Sequence, residues 1–252
     1  MEKVNLQVGN TKEHQNQKSP GSRIKTCSIH GEYNPVVVKS FDGLRDIELS
    51  CQECVESKKV PDNKRQVLMS AGIPKRFLGS SFENFKVSTE SDLNYRTTQK
   101  YKSTFAKIKK NGTSLIFCGL PGTGKTHLAC ALVMALIDAG YHAKYSTSYK
   151  LFAHIKSTYN KASLEHETQV IQKYIDCDLL ILDEVGVQFG SEAERVLFYQ
   201  VINGRYEDVL PTILISNEDK QGVQKFIGDR CFDRMCDGNG AVLSFDWKSH
   251  RK

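Results

Sequence analysis

The stretch Gly119-Leu-Pro-Gly-Thr-Gly-Lys-Thr126 constrains this chain more than any other. It fits G-x-x-x-x-G-K-[ST], a phosphate-binding loop, and that motif carries meaning only between a strand and a helix. Both flanks comply. Ser114-Leu-Ile-Phe-Cys118 reads as a short buried strand, and 127–137 reads as an apolar helix beginning at His127. In such a loop the backbone N–H groups of residues like Pro121's successors Gly122, Thr123 and Gly124 point inward. The positive end of the following helix adds to their field. Lys125 is placed to reach the β and γ phosphates of a nucleotide, and the Thr126 hydroxyl to ligate Mg²⁺.

Beyond the loop, apolar strand-like and helical stretches alternate. Residues 143–146 read as a strand, 148–175 as a long amphipathic, largely helical segment, and Leu179-Leu-Ile-Leu182 as a fully apolar strand. A helix over 191–208, a strand over 212–216, a helical stretch over 222–235 and a strand over 241–245 follow. Upstream, 94–110 reads as a basic helix with Phe105 and Ile108 facing a core. Apolar strands without alternation belong to a parallel sheet covered on both faces. The expected fold is therefore a three-layer α/β domain.

Asp183-Glu184 follows the strand at 179–182, at the end of a parallel strand where ligands of such sheets sit. Asp183 is placed to hold Mg²⁺ through water, and Glu184 to polarise an attacking water as general base. Asn217, at the end of the neighbouring strand, can orient that water or touch the γ-phosphate, an assignment that depends on the first two. Arg230 and Arg234 share one helix face by their spacing. They suit either phosphoryl-transfer stabilisation across subunits or ion pairing with Asp229 and Asp233, and spacing leaves both open.

The amino-terminal part is of another kind. Residues 1–22 are polar, without apolar spacing, and read as a disordered tail. Within 23–56, Cys27-Ser-Ile-His30 and Cys51-Gln-Glu-Cys54 are separated by 20 residues. Two turns with two ligands each make a closed tetrahedral zinc set of Cys27, His30, Cys51 and Cys54. A segment this short is not stabilised by burial alone, and a structural Zn²⁺ supplies what is missing. Cys118, Cys130 and Cys177 sit among apolar residues and read as core. Residues 57–81, with breakers at Pro61, Gly72 and Pro74, read as a linker to a domain spanning 82–252.

The charge balance is uneven. Residues 76–110 carry 8 basic and 3 acidic groups, whereas 111–252 carry 15 and 17. A local basic patch at Lys144, Lys150, Lys156 and Lys161 is compatible with nucleic acid without establishing it. The first 26 residues are polar and the longest apolar run has 10 residues, so neither a signal peptide nor a membrane span is expected, and the location expected is cytoplasmic.

Taken together, Gly119–Thr126, 179–186, 213–217 and 228–238 resemble an AAA+ ATPase, and more narrowly the DnaC/IstB group of replicative helicase loaders. Ser81-Phe-Glu-Asn-Phe85, Asp183-Glu-Val-Gly-Val-Gln188, Asp233-Arg-Met235 and Phe245-Asp-Trp-Lys-Ser249 carry the narrower likeness, which spans about 70–249. The resemblance implies ATP as cofactor and self-association around it, with Arg234 acting across subunits and Arg230 supporting it. It implies a hexameric replicative DNA helicase and single-stranded DNA as partners. The segment 148–175 resembles the insertion of initiator-type ATPases that touches single-stranded DNA, where Lys150, Lys156 and Lys161 suit phosphates. There Tyr159 suits either base stacking or core packing. The chain stops soon after Phe245, so no helical lid is expected, and an isolated subunit is expected to be a weak, DNA-stimulated ATPase. The cysteine-bearing front resembles that of DnaI-like and phage loaders, where it is the helicase-binding part. Alternatives are an IstB-type transposition helper and, from another class, a P-loop small-molecule kinase. Glu184 and Arg234 argue against the kinase.

Overall fold

The structure is a computed structural model. It describes residues 62–160, 162–186 and 191–250, together with four short strands nearer the amino terminus. Contacts divide the chain into two units, 1–60 and 61–252.

In the first unit, β1 (Lys25–Cys27) pairs antiparallel with β2 (Gly31–Tyr33), with Cys27 opposite Gly31. Likewise β3 (Val37–Lys39) pairs with β4 (Asp46–Glu48). The backbone of Cys27 closes β1. His30, Cys51 and Cys54 lie outside the described residues, as does the segment 1–22.

The second unit begins with α1 (Asp62–Ser70), then a 3₁₀ turn (Lys75–Phe77), α2 (Asp92–Ser103) and α3 (Phe105–Asn111). The alternating part follows. It comprises β5 (Leu115–Gly119), α4 (Lys125–Asp138), β6 (Ala143–Thr147), α5 (Ser148–Ser157), α6 (Glu167–Ile175) and β7 (Leu179–Asp183). It continues with α7 (Glu192–Glu207), β8 (Thr212–Ile215), α8 (Lys220–Ile227), α9 (Asp229–Cys236) and β9 (Ala241–Phe245). The five strands form one parallel sheet in the order β6-β7-β8-β5-β9. Its central strands are buried along their whole length, as continuous apolar runs require. Ile116, Cys118, Leu180, Leu182 and Leu214 join one core cluster with α5 to α9. The alternate residues point to the other face, where Phe117 packs on Phe245 with ring centroids 5.2 Å apart. This is the expected three-layer α/β arrangement.

Four local expectations are corrected. The stretch 57–81 is not a plain linker, because α1 and the 3₁₀ turn belong to the second unit. Leu68 and Ile73 are buried, and the Tyr145 N–H donates to the Ala71 carbonyl at 2.7 Å. The helical stretch 94–110 divides at Thr104, whose hydroxyl turns back to the Lys100 carbonyl. The segment 148–175 is two helices. After α5, the hydroxyls of Ser157 and Thr158 bond back to the His154 and Ile155 carbonyls, and the Asn160 side chain takes the Ala162 N–H. Finally, α8 and α9 are separated at Gly228, whose φ of 80° and ψ of 155° no helix accommodates.

One side chain ties the lower end of this sheet together. Arg205 on α7 has no exposed surface. Its Nη1 donates to the carbonyls of Tyr174 (3.0 Å), Ile175 (2.6 Å) and Cys177 (2.8 Å), its Nη2 to Pro211 (2.6 Å) and its Nε to Thr212 Oγ1 (2.9 Å). The fork thus clamps the segments entering β7 and β8. Arg205→Met leaves these acceptors unmatched and is expected to destabilise the unit by about 3 kcal/mol or more, read by urea unfolding. Arg205→Lys, with a single ammonium in place of the fork, is expected to recover only part of the loss.

Candidate functional site: a phosphate loop and its acidic partner

The C-terminal ends of β5, β7 and β8 open into a cavity of about 530 Å³. Gly122, Gly124, Lys125, Thr126 and His127 line it from the loop, Asp183, Glu184 and Asn217 from the neighbouring strands, and Arg76, Phe77 and Phe85 from the segment before α2. The sequence-predicted nucleotide residues therefore meet in one place.

The loop's glycines are there for space. A Cβ on Gly124 (φ 99°) would lie 2.6 Å from Phe85 Cε2, and one on Gly119 (φ 116°) 2.6 Å from Asp246 Oδ1. Lys125 is buried, with Nζ donating to the carbonyls of Gly119 and Leu120 at 2.7 Å each. His127 donates from Nε2 to the Ser81 carbonyl at 3.0 Å, so it anchors the Ser81–Phe85 stretch beneath the cavity. Phe85 stacks on Tyr95 and meets His127 edge-on.

Asp183 is the hub. Its Oδ2 accepts from Thr126 Oγ1 and from the Tyr145 hydroxyl, both at 2.7 Å, and its Oδ1 accepts from the Glu184 N–H at 2.7 Å. Burial first, and then the adjacent Asp183 carboxylate, push the Tyr145 hydroxyl far above its ordinary range, so it remains a donor at any working pH. Glu184 holds φ 58°, an unfavourable left-handed conformation for a residue with a Cβ. Its carbonyl is fixed by Ser148 Oγ at 2.9 Å, and its side chain stands exposed at the cavity. Such strain persists where surroundings over-determine it, commonly at functional sites. Thr126 and Asp183 offer hard oxygen donors that converge on one point, a set that fits Mg²⁺.

Arg234 lies elsewhere. A second cavity of about 290 Å³ is lined by Ser114, Thr212, Tyr206, Arg234 and Asp237, at the opposite, N-terminal ends of β5 and β8. The Arg234 guanidinium lies 4.9 Å from the Tyr199 ring centroid and 5.5 Å from that of Tyr206, and among the described residues its Nη1 has no acceptor. Arg230 is exposed. Among the described residues no ion pair joins either arginine to Asp229 or Asp233. Within one chain the fold does not bring Arg230 or Arg234 to the phosphate loop.

Of the residues expected to meet DNA, Lys150 is exposed at the start of α5, and Tyr159 is 60 % exposed, which removes its core alternative. Lys156 is committed to Glu194 at 2.6 Å, and Lys144 is half-buried over the Tyr174 ring. Lys161 lies outside the described residues. Cys118, Cys130 and Cys177 are buried, as read. Among the described residues no group of three or more His, Cys, Asp or Glu is placed to hold a metal, and no helix is long and apolar enough to cross a membrane.

Fold and site together define a P-loop ATPase domain of the AAA+ type. The chain matches the family described as IstB-like ATP binding protein over residues 47–237, and it belongs to that family. ATP binding and magnesium are typical of its members. It is 34 % identical over 201 residues to "Replicative helicase loader DnaC" of Buchnera aphidicola subsp. Baizongia pistaciae, covering 79 % of this chain and 80 % of that one. To the protein of the same name from Escherichia coli K12 it is 33 % identical over 181 residues, covering 72 % and 73 %. A crystal structure of the DnaC helicase loader superposes with a TM-score of 0.60 at 21 % identity, covering 68 % of this chain and 99 % of that one. A DnaI structure superposes at 0.59 and 19 %.

Tyr145, Ser148 and Trp247 escaped the sequence reading as site residues. The register of β6 against β7 places Thr147 opposite Asp183 and so brings Tyr145 within reach, a pairing that no local pattern announces. Lys125→Ala is expected to weaken ATP binding about 10- to 100-fold by isothermal titration calorimetry, the loss of charge-assisted bonds to the phosphates.

Proposed function

We propose that this chain is a cytoplasmic, ATP-dependent loader that places a hexameric replicative DNA helicase on single-stranded DNA. The observation that carries the reading is the division of catalytic groups between the two ends of the sheet. The loop, Asp183 and Glu184 sit at one end and Arg234 at the other. A hydrolytic site drawing on all of them takes its arginine from a neighbouring subunit, which is how a ring or filament couples nucleotide state to assembly. The names of the relatives supply the helicase.

Loop N–H groups and Lys125 hold the phosphates. Thr126 and Asp183 would hold Mg²⁺, which when bound would supply charge neutralisation for the phosphoryl oxygens. Glu184, at the mouth of the cavity, takes a proton from the water attacking the γ-phosphorus, and Asn217 orients that water. ADP leaves as the γ-phosphoryl passes to water. Arg234 of one subunit faces the phosphates of the next, with Arg230 beside it. An isolated subunit hydrolyses ATP weakly, and single-stranded DNA stimulates it. Lys150 and the exposed Tyr159 ring form a phosphate-plus-stacking contact for that strand, with Lys161 adding charge. Lys156 contributes less, since Glu194 already holds it.

The front module binds Zn²⁺ through Cys27, His30, Cys51 and Cys54 and docks the helicase. Three thiols with one histidine suit zinc, and in sequence the C-x-x-H stretch runs from the last residue of β1 to the residue before β2. The family's IstB-like description keeps a transposition helper as the second reading. Pull-down with the host replicative helicase separates the two. Capture by the full chain and loss on deleting residues 1–60 is the expected result, and capture that survives the deletion refutes docking through the front. Elemental analysis is expected to give about one zinc per chain, lost in Cys51→Ser. Arg234→Ala is expected to spare ATP binding and abolish DNA-stimulated turnover.

A further inference from the structure

The phosphate loop is held from outside by a segment far away in sequence. Peptide units are planar, with C=O and the following N–H pointing opposite ways. Pinning a carbonyl therefore aims the next N–H. The carbonyls of Gly119 and Leu120 are held by Lys125, and Leu120 also by Thr123 Oγ1 at 2.8 Å. Those two anchors are internal to the loop. The next two are not. The Gly122 carbonyl accepts from the backbone N–H of His250 at 2.9 Å, and the Thr123 carbonyl from the indole Nε1–H of Trp247 at 3.1 Å. The same segment returns the favour to the start of the loop, where the Leu120 N–H donates to the Phe245 carbonyl at 2.9 Å.

Trp247 is 9 % exposed and packs on Phe245 with ring centroids 4.9 Å apart, so its indole has one orientation. With the Gly122 and Thr123 carbonyls turned outward, the N–H groups of Thr123 and Gly124 face the cavity. Among the described residues no hydrogen bond uses the N–H of Gly122, Thr123 or Gly124. These are the donors that a phosphate requires.

We propose that Trp247, together with the backbone N–H of His250, is a positioning element for the phosphate loop. It aims the loop's N–H groups at the nucleotide phosphates, and Trp247 acts from behind the loop without lining the cavity. The inference rests on the reading of Gly119–Thr126 as the ATP site.

The test compares the full-length wild type with Trp247→Phe, which keeps an aromatic ring and removes the donor. A second variant, His250→Pro, removes the backbone donor to the Gly122 carbonyl and stands in if the first fails to fold; it is read against His250→Ala, which loses the cavity-lining imidazole but keeps that donor. Thermal unfolding reports the fold. Competition against a fluorescent ATP analogue reports affinity for ATP, inorganic tripolyphosphate and adenosine. In a folded variant, ATP and tripolyphosphate are expected to weaken about five- to tenfold, the worth of one lost hydrogen bond, while adenosine is unchanged. The loss is expected in KM, with kcat at saturation retained. Unchanged ATP affinity in a folded variant overturns the proposal, and so does adenosine weakening as much as ATP, which marks general loosening. Failure of the wild type itself to bind ATP overturns the reading of the site, and the proposal falls with it.

Discussion

A buried guanidinium with no carboxylate bonded to it holds the lower end of this molecule together. Arg205 satisfies its donors with main-chain carbonyls and one hydroxyl, drawn from the end of α6, the turn into β7 and the start of β8. Burial pulls its affinity for a proton down, but the surrounding oxygens keep it in place as a charged hub. Asp178, whose charge favours it, is spent on Lys109 and on the N–H of His142. Strands β7 and β8 are thereby fixed in register before they reach the site. The upper ends of the strands can then carry charge and strain, since the sheet does not depend on them for its alignment.

Those upper ends show the opposite economy. Asp183 gathers hydroxyls from the first turn of α4 and from the middle of β6 on one oxygen, and Glu184 next to it sits in backbone strain held by Ser148. The loop passes close against the Phe85 ring at Gly124. It is shaped by lysine and threonine from within and by tryptophan and a backbone N–H from without. Local rules of helix and strand break at this end, as expected where a fold yields to a site.

Much of this was legible in the sequence, for a physical reason. A parallel sheet buried on both faces needs unbroken apolar runs, and a phosphate loop needs glycine where a side chain would collide, so both leave contiguous signatures. What stayed hidden depends on partners distant in sequence. Helix α1 was hidden because only one of its faces carries Leu68, and Gly72 read as a breaker although it stands just beyond the helix as its stop. Lys156 looked free until Glu194, 38 residues on, took it. Tyr145 became part of the site through strand register alone. Trp247 stood within a stretch already noticed, yet its hydrogen bond spans 124 residues.

Gly228 carries a consequence of its own. It occupies a conformation that other residues avoid, and open space surrounds the position where a side chain would go. Packing therefore does not require glycine there; the chain direction does. The hinge sets the axis of α9, and with it the bearing of the Arg234 side chain relative to the sheet. A residue that preferred ordinary helical angles would tend to fuse α8 and α9 into one rod. The nucleotide cavity, lined by none of these residues, would be left intact. Mutational damage at this point would be orientational rather than chemical. The fold would be whole, but its Arg234 side chain would be aimed wrongly.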